Sequence, residues 1–490
     1  MECAGNNDCC CEEGRLVYDV IVVGGGSAGL WTAKTAAENG CKVLLVDKRA
    51  ADDIGKKISY DSTPPYVFEQ LGIPLPSGKE LDDTGDVLTL VSPNKKHRVE
   101  APVPNVLFSR RLVGQRLAGY AADAGVKFMY RAQVLGPVIE DGYVVGVRVK
   151  HLDSCDADGR GDEEELRARV VVDASGFYAV IRRNLPREIL VQDPQYGEDV
   201  VLGYREVRRI VGESSDCPPP EYRGYYDYLG YHGGYLWIVR EENNWANIGI
   251  GVQDCPGNPG PVKPVQDFAA DNPAIGPECM ARGSGDPMYI PLRSCQPQLA
   301  ANGFMAVGDA ACQVRPSTGY GWHTGLLAGD IAGEVAARAV KKQDVSREAL
   351  WEYDVQWKRG LGAILASFDA IRIMCQSISN DELDILLARG ILGSEQIEAL
   401  WNDKPFEVGA GKQISSFFSA IGHAGLLLKV KFVIDSADRL YKLFSEAPDS
   451  PEGLERWNSE RTGIFTELRS KLGATVHEKD YLGGMEKHEL

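Results

Sequence analysis

The chain has 490 residues, 44% of them hydrophobic, and a formal net charge of −17. That length and apolar content can bury the cores of two or three domains, which excludes a disordered chain. The acidic balance and the lack of a basic stripe with interleaved aromatics exclude nucleic acid as an expected partner.

The first residues, Met1-Glu2-Cys3-Ala4-Gly5-Asn6-Asn7-Asp8, lack the basic and apolar regions of a signal peptide, and no apolar run reaches the roughly 18 residues of a membrane span. A cytoplasmic location is expected, with thiols reduced rather than paired. Cys3, Cys9, Cys10 and Cys11 crowd the start; a bound metal and an oxidation-prone tail both fit, but adjacent cysteines do not match a CxxC spacing, and no metal site is assigned.

Tyr18-Asp19-Val20-Ile21-Val22-Val23 is a β-branched run short enough for a buried parallel strand. Gly24-Gly25-Gly26-Ser27-Ala28-Gly29 follows it, then an alanine-rich helical stretch at 30–39. Gly24 permits the tight turn, Gly26 lets a pyrophosphate approach, and Gly29 lets the helix pack on the strand. The unpaired N–H groups from Ser27 and Ala28 onward then face the phosphates. A second strand at 42–46 ends in Asp47, about twenty residues on, where an acid accepts hydrogen bonds from an adenosine ribose. Lys48 and Arg49 beside it would tolerate a phosphorylated ribose. On these residues alone, FAD and NAD(P) both fit.

Arg110 and Arg111 open a helical pattern. Residues 143–151 and 168–173 read as strands separated by an acidic, glycine-rich loop at 153–165, and the second leads into Val171-Val172-Asp173-Ala174-Ser175-Gly176. Residues 186–287 are rich in Tyr, Trp, Val and Gly, with alternation at 201–207 and 235–239, and read as a mostly antiparallel sheet. Residues 303–340 give a short strand, Gly308-Asp309 at its end, a Pro/Gly loop and a long helix of small residues. From about Ser346 the pattern is helical, with a capping box at Ser379-Asn380-Asp381-Glu382. The apolar residues 414–428, followed by Lys429 and Lys431, suit either a membrane surface or a buried helix. The terminal Lys487-His488-Glu489-Leu490 looks like a retrieval tetrapeptide, which lacks meaning without a signal peptide.

The 303–340 stretch resembles the FAD-binding closing motif of the p-hydroxybenzoate hydroxylase superfamily, most closely its geranylgeranyl reductase branch, in which it reads Gly-Asp-Ala-Ala-Gly-x-Val-x-Pro-x-Thr-Gly-x-Gly. The resemblance selects FAD. It implies Asp309 on the ribityl chain, and the backbone around Gly319 and Gly321 with the next helix start at the pyrimidine edge of the flavin, where negative charge develops. It also implies Arg110 near the FAD ribose and phosphates, a plain surface salt bridge being the alternative. Many flavin hydroxylases carry Asp-Gly where Ser175-Gly176 stands here, so their mode of NADPH docking does not carry over.

Gly233-Gly234-Tyr235-Leu236-Trp237-Ile238-Val239-Arg240, with Asn247-Ile248-Gly249-Ile250-Gly251, resembles the branch's Gly-Tyr-x-Trp-x-Phe-Pro signature, Val239 and Arg240 replacing Phe and Pro. In that branch the segment lines a tunnel for an isoprenoid chain; Tyr235 and Trp237, two apart on one face, would form its wall, or else are ordinary core aromatics. The branch's Gly-x-Lys-x-Cys-Gly-Asp reads Gly55-Lys56-Lys57-Ile58-Ser59-Tyr60-Asp61 here, so its thiol is lost or relocated.

The expected fold is α/β: a Rossmann-like FAD-binding domain (17–60, 102–185, 288–345) interleaved with an antiparallel-sheet substrate domain (61–101, 186–287), plus a helical C-terminal region (346–490) and a tail (1–16). The implied activity is saturation of C=C bonds in geranylgeranyl chains of membrane lipids or their precursors. Reduced flavin provides hydride; Tyr60, Tyr235 or a held water provides the proton. His323 is expected to pack or to sit at the helix terminus. The electron donor would be NAD(P)H or ferredoxin, and peripheral membrane contact would suit the substrate. Two alternatives stand. One is an FAD-dependent monooxygenase or halogenase, since Ser62-Thr63-Pro64-Pro65 through Leu71-Gly72-Ile73 also resembles flavin halogenases, although their Trp-x-Trp-x-Ile-Pro motif is absent; a noncatalytic FAD-binding protein is the other.

Overall fold

The computed structural model describes residues 17–55, 60–155, 161–219, 224–282, 288–405, 424–474 and 476–479. The cysteines at positions 3, 9, 10 and 11, residues 56–59, most of 414–428 and the terminal tetrapeptide lie outside them.

Two sheets organise the described chain. The smaller, of eight strands, runs Ala300–Ala301, Phe304–Ala306, Glu163–Asp173, Val17–Val23, Val43–Val46 and Lys127–Met129, with the hairpin Ala132–Glu140 and Tyr143–His151 attached through Glu163–Asp173. Its central pairs are parallel, Val20 opposite Val43 and Val170. Val20, Ile21, Val22 and Leu45 are fully buried in a core shared with helix Ser27–Glu38 and the hairpin at 132–151, which explains the unbroken apolar run.

Helix Ser27–Glu38 packs on helix Trp322–Lys341 through small residues one turn apart. A Cβ on Gly329 would lie 2.7 Å from the Ala28 carbonyl oxygen, and one on Gly333 2.8 Å from that of Thr32. The close approach is fixed by Asp330, whose Oδ1 accepts hydrogen bonds from Trp31 Nε1 and Thr35 Oγ1, both at 2.9 Å.

The larger sheet has nine strands. A meander of Val200–Ile210, Trp245–Gln253, Gly234–Glu241 and Gly224–Tyr231 is antiparallel. Gly224–Tyr231 then pairs in parallel with Leu81–Val91, which brings in Arg98–Ser109 and Tyr60–Thr63. Strand Met288–Pro291 pairs with Val200–Gly203, so it belongs to this sheet and not to the smaller one, and Arg98–Ser109 crosses the expected boundary at 102. Strand pairing decides this, and a one-dimensional pattern does not record partners.

Side chains alternate across the larger sheet. Tyr204, Tyr228, Leu236, Ile238 and Ile248 face helix Val262–Asp271, through Val265 and Phe268. The opposite face is left for a cavity, closed from the far side by helices Ala363–Ser377, Asn380–Ala388 and Ser394–Trp401. Helix Asn380–Ala388 begins with the Ser379/Glu382 capping box. Buried Asp199, before strand Val200–Ile210, accepts from Arg372 and Arg469, both at 3.0 Å, tying the C-terminal helices to the sheet.

Candidate active site

The glycine turn is built by backbone. Gly24 has φ +106°, a left-handed conformation, and a Cβ there would sit 2.4 Å from the Ala174 carbonyl oxygen. A Cβ on Gly29 would lie 1.9 Å from the Gly24 oxygen, so no side chain fits where the helix meets the turn. Asp47 lines the cavity and braces the turn: Oδ2 accepts from Gly25 N at 2.6 Å and Oδ1 from Arg49 N at 2.7 Å. Lys48 lines the same cavity.

The far segment arrives beside it. Gly308 N donates to Gln313 Oε1 at 2.7 Å, and a Cβ on Gly308 would meet Ala28 Cβ at 3.0 Å. Asp309, Gly319 and Gly321 line the cavity, and a Cβ on Gly321 would meet Asp309 Oδ1 at 3.0 Å. Helices Ser27–Glu38 and Trp322–Lys341 both begin without a side-chain cap, after Gly26 and Gly321, and Ser27 Oγ donates to the Trp322 carbonyl at 3.5 Å. Two helix starts, each favouring negative charge, therefore meet at one cavity. A Cβ on Gly26 would project into open space, which is the room that a dinucleotide phosphate needs. The residues present thus fit FAD.

Arg110 Nη1 donates to Asp61 Oδ2 at 2.7 Å. Arg205, also lining the cavity, has its pKa lowered by burial, an effect that Asp61 opposes and Arg110 reinforces. Arg110 is therefore not a lone cation: partly exposed, it and Arg205 flank Asp61 on the cavity wall.

The cavity holds about 1030 Å³ and continues from the glycine turn along the inner face of the larger sheet. Tyr235 and Trp237 line it, ring centroids 6.0 Å apart. Trp237 Nε1 donates to Asn247 Oδ1 at 3.1 Å, and its ring lies across Gly249, where a Cβ would come within 2.1 Å of it. Tyr235 donates its hydroxyl to the Thr318 carbonyl at 2.7 Å, in the loop between Asp309 and the second helix start. Leu88, Leu90, Val239, Leu392 and Leu400 add apolar side chains to the wall. Cys375 also lines it, but burial pushes its thiol up to about 11, so it stays protonated. Tyr60 opens the strand Tyr60–Thr63, its backbone paired with Ser109.

His323 is fully buried. Its Nε2 lies 3.0 Å from Asp403 Oδ2, and Asp403 also takes Arg315 Nη2 at 2.7 Å and the Tyr66 hydroxyl at 2.6 Å. Burial, then Arg315, lowers the His323 pKa, so its ring is neutral. It belongs to a buried tie between the closing loop and the residues after helix Ser394–Trp401.

The sequence reading passed over three residues. Asp173 is fully buried, with Oδ2 accepting from Ile181 N and Arg182 N at 2.9 and 2.8 Å and Oδ1 from the Ser175 hydroxyl at 2.6 Å; it shapes the turn beside Gly24. Asp61 pairs with Arg110 from 49 positions away. Asp227 lines the cavity at 8% exposure, and its signal was visible as the one charge in Tyr225-Tyr226-Asp227-Tyr228.

Residues 18–188 match the pyridine nucleotide-disulphide oxidoreductase family model. Over 465 residues the chain is 28% identical to a digeranylgeranylglycerophospholipid reductase of Sulfolobus acidocaldarius, spanning 94% of this chain and 99% of the relative. It is 31% identical over 386 residues to digeranylgeranylglycerophospholipid reductase 1 of Methanococcoides burtonii, spanning 75% and 86%. A geranylgeranyl bacteriochlorophyll reductase-like protein from Thermoplasma acidophilum shares the fold, with a TM-score of 0.68 at 20% identity, over 86% of this chain and all of that one.

Proposed function

The chain belongs to the digeranylgeranylglycerophospholipid reductase family, and we propose that it is an FAD-dependent reductase saturating the C=C bonds of geranylgeranyl chains on membrane lipids or their precursors. One observation carries this reading: a single cavity runs from two uncapped helix starts, suited to a dinucleotide, to an apolar sheet face, suited to a hydrocarbon chain. A halogenase or monooxygenase has less support, since the relatives aligned over most of the chain are named reductases.

The glycine turn, Asp47, Lys48 and Arg110 would hold the adenosine and phosphate parts of FAD, and Asp309 with the Gly319–Gly321 backbone the flavin part. Bound FAD, once reduced, supplies hydride. The protein's share is positioning and exclusion of water. Trp237, fixed over Gly249 by Asn247, and Tyr235, fixed by Thr318, form a rigid wall, and Leu88, Leu90, Leu392 and Leu400 offer an extended chain no polar partner. Reducing equivalents come from NAD(P)H or a ferredoxin. No helix among the described residues is long and apolar enough to cross a membrane; the lipid would be taken up through peripheral membrane contact.

The test is a single turnover. Holoprotein photoreduced without oxygen and mixed with geranylgeranyl lipid should regain its oxidised flavin spectrum while the lipid gains two hydrogens per saturated bond. Turnover only with oxygen would favour the monooxygenase; flavin that stays reduced with unchanged lipid would favour a binding role.

A further inference from the structure

Strand Gly224–Tyr231 carries one charged side chain among tyrosines. Tyr226 and Tyr228 face helix Val262–Asp271, so alternation turns Asp227 and Leu229 into the cavity. In register, Asp227 stands between Trp237 on one neighbouring strand and Leu90 on the other. It is 8% exposed, and its Oδ1 has no hydrogen-bond partner among the described residues. A buried carboxyl oxygen left unpaired on a cavity wall is free to meet a group that enters the cavity.

The titratable groups that face it are neutral hydroxyls: Tyr225 on its own strand, Tyr235 on strand Gly234–Glu241 and Tyr320 in the closing loop, all of which sense its charge. The cavity's Arg110 and Arg205 are engaged around Asp61. Burial, with no cation to offset it, holds the Asp227 carboxyl well above the usual carboxylate range and so favours its protonated form.

We propose that Asp227 is the acid that protonates the substrate alkene, a step resting on the reductase reading above. Its O–H bond breaks as the proton joins one alkene carbon through the π electron pair. The other carbon takes the hydride that reduced flavin supplies, so C=C becomes C–C with two new C–H bonds. Asp227 is left as a carboxylate, reprotonated from water when the product leaves. Tyr235 is the weaker donor: its hydroxyl proton is committed to Thr318, and a phenol ordinarily releases its proton about six pH units above a carboxylic acid.

Two measurements test this. Infrared spectra of the holoprotein should contain a protonated-carboxyl band at neutral pH that shifts with aspartate-specific carbon-13 labelling and is missing from Asp227→Asn. In anaerobic single turnover, Asp227→Asn should bind FAD and be reduced by dithionite as wild type does, with lipid-dependent reoxidation slowed by about 10²–10⁴; Asp227→Glu should recover part of that rate. A wild-type rate in Asp227→Asn, or a band that survives the substitution, overturns the assignment while leaving the reductase reading intact. Wild-type protein that never passes electrons to lipid overturns both. Should Asp227→Asn fail to fold, titrating the wild-type band decides the matter: an Asp227 already ionised at neutral pH contradicts the proposal.

Discussion

The two sheets approach the same cavity with different materials. At the edge of the smaller one the surface is largely backbone: glycines, helix starts and carbonyls, with Asp173 working from behind and Asp47 both bracing the turn and lining the cavity. On the larger one the surface is side chains projected in alternate rows, with Trp237 across Gly249 and Asp227 between Trp237 and Leu90. The difference teaches what each half tolerates. A backbone cradle fails when anything is added, whereas a side-chain wall changes with what is removed.

The sharpest way to break the comparison is Gly24→Ala. The strained φ costs about 1–3 kcal/mol, and the new Cβ would sit 2.4 Å from the Ala174 oxygen. The purified variant should contain little or no flavin by its visible-to-ultraviolet absorbance ratio; full occupancy would mean that the cradle is not rigid. Next is Asp403→Asn, which leaves the fully buried Arg315 of the closing loop without its ionic partner after helix Ser394–Trp401. Urea unfolding should show a loss of about 3–5 kcal/mol.

Acid probes the same tie more gently. Burial alone would raise the Asp403 pKa, but Arg315 and His323 hold it well below the usual range, while burial lowers that of His323. Both groups bind a proton more readily when unfolded. The stability from His323 is thus present above its unfolded value of about 6.5 and lost as pH falls below it; that from Asp403 follows below about 4. Denaturation midpoints should decline from pH about 6.5 downward, at no more than about 1.4 kcal/mol per pH unit for each proton, and His323→Gln should remove the upper limb. The smallest effect is expected from Trp237→Phe, which loses the Asn247 hydrogen bond, worth about 1 kcal/mol. Flavin content should be unchanged and the KM for lipid a few-fold higher.

How much could be read from the sequence follows the same division. Gly24, Gly26 and Gly29 were legible because a turn that must admit phosphate demands particular residues at fixed spacing, Asp309 was reached only through the family resemblance, and the Ser379 cap was legible because its partner is three residues away. Tyr235 and Trp237 were visible as a pair two apart. What was hidden depends on strand neighbours distant in the chain. Arg110 meets Asp61, Arg315 meets Asp403 from 88 positions away, and Asp227 becomes a cavity carboxyl only when its strand is seen between Leu81–Val91 and Gly234–Glu241. The glycines of helix Trp322–Lys341 showed as a small-residue pattern, yet nothing in one dimension named Ala28 and Thr32 as what they admit.

The central claim is that cofactor and hydrocarbon share one cavity, so that hydride passes directly between them. Apoprotein reconstituted with reduced 5-deaza-FAD carrying deuterium at both C5 positions should yield saturated lipid with one non-exchangeable deuterium per reduced bond when worked up in ordinary water. Saturated lipid without that label, or labelled cofactor left untouched beside intact lipid, would contradict the account.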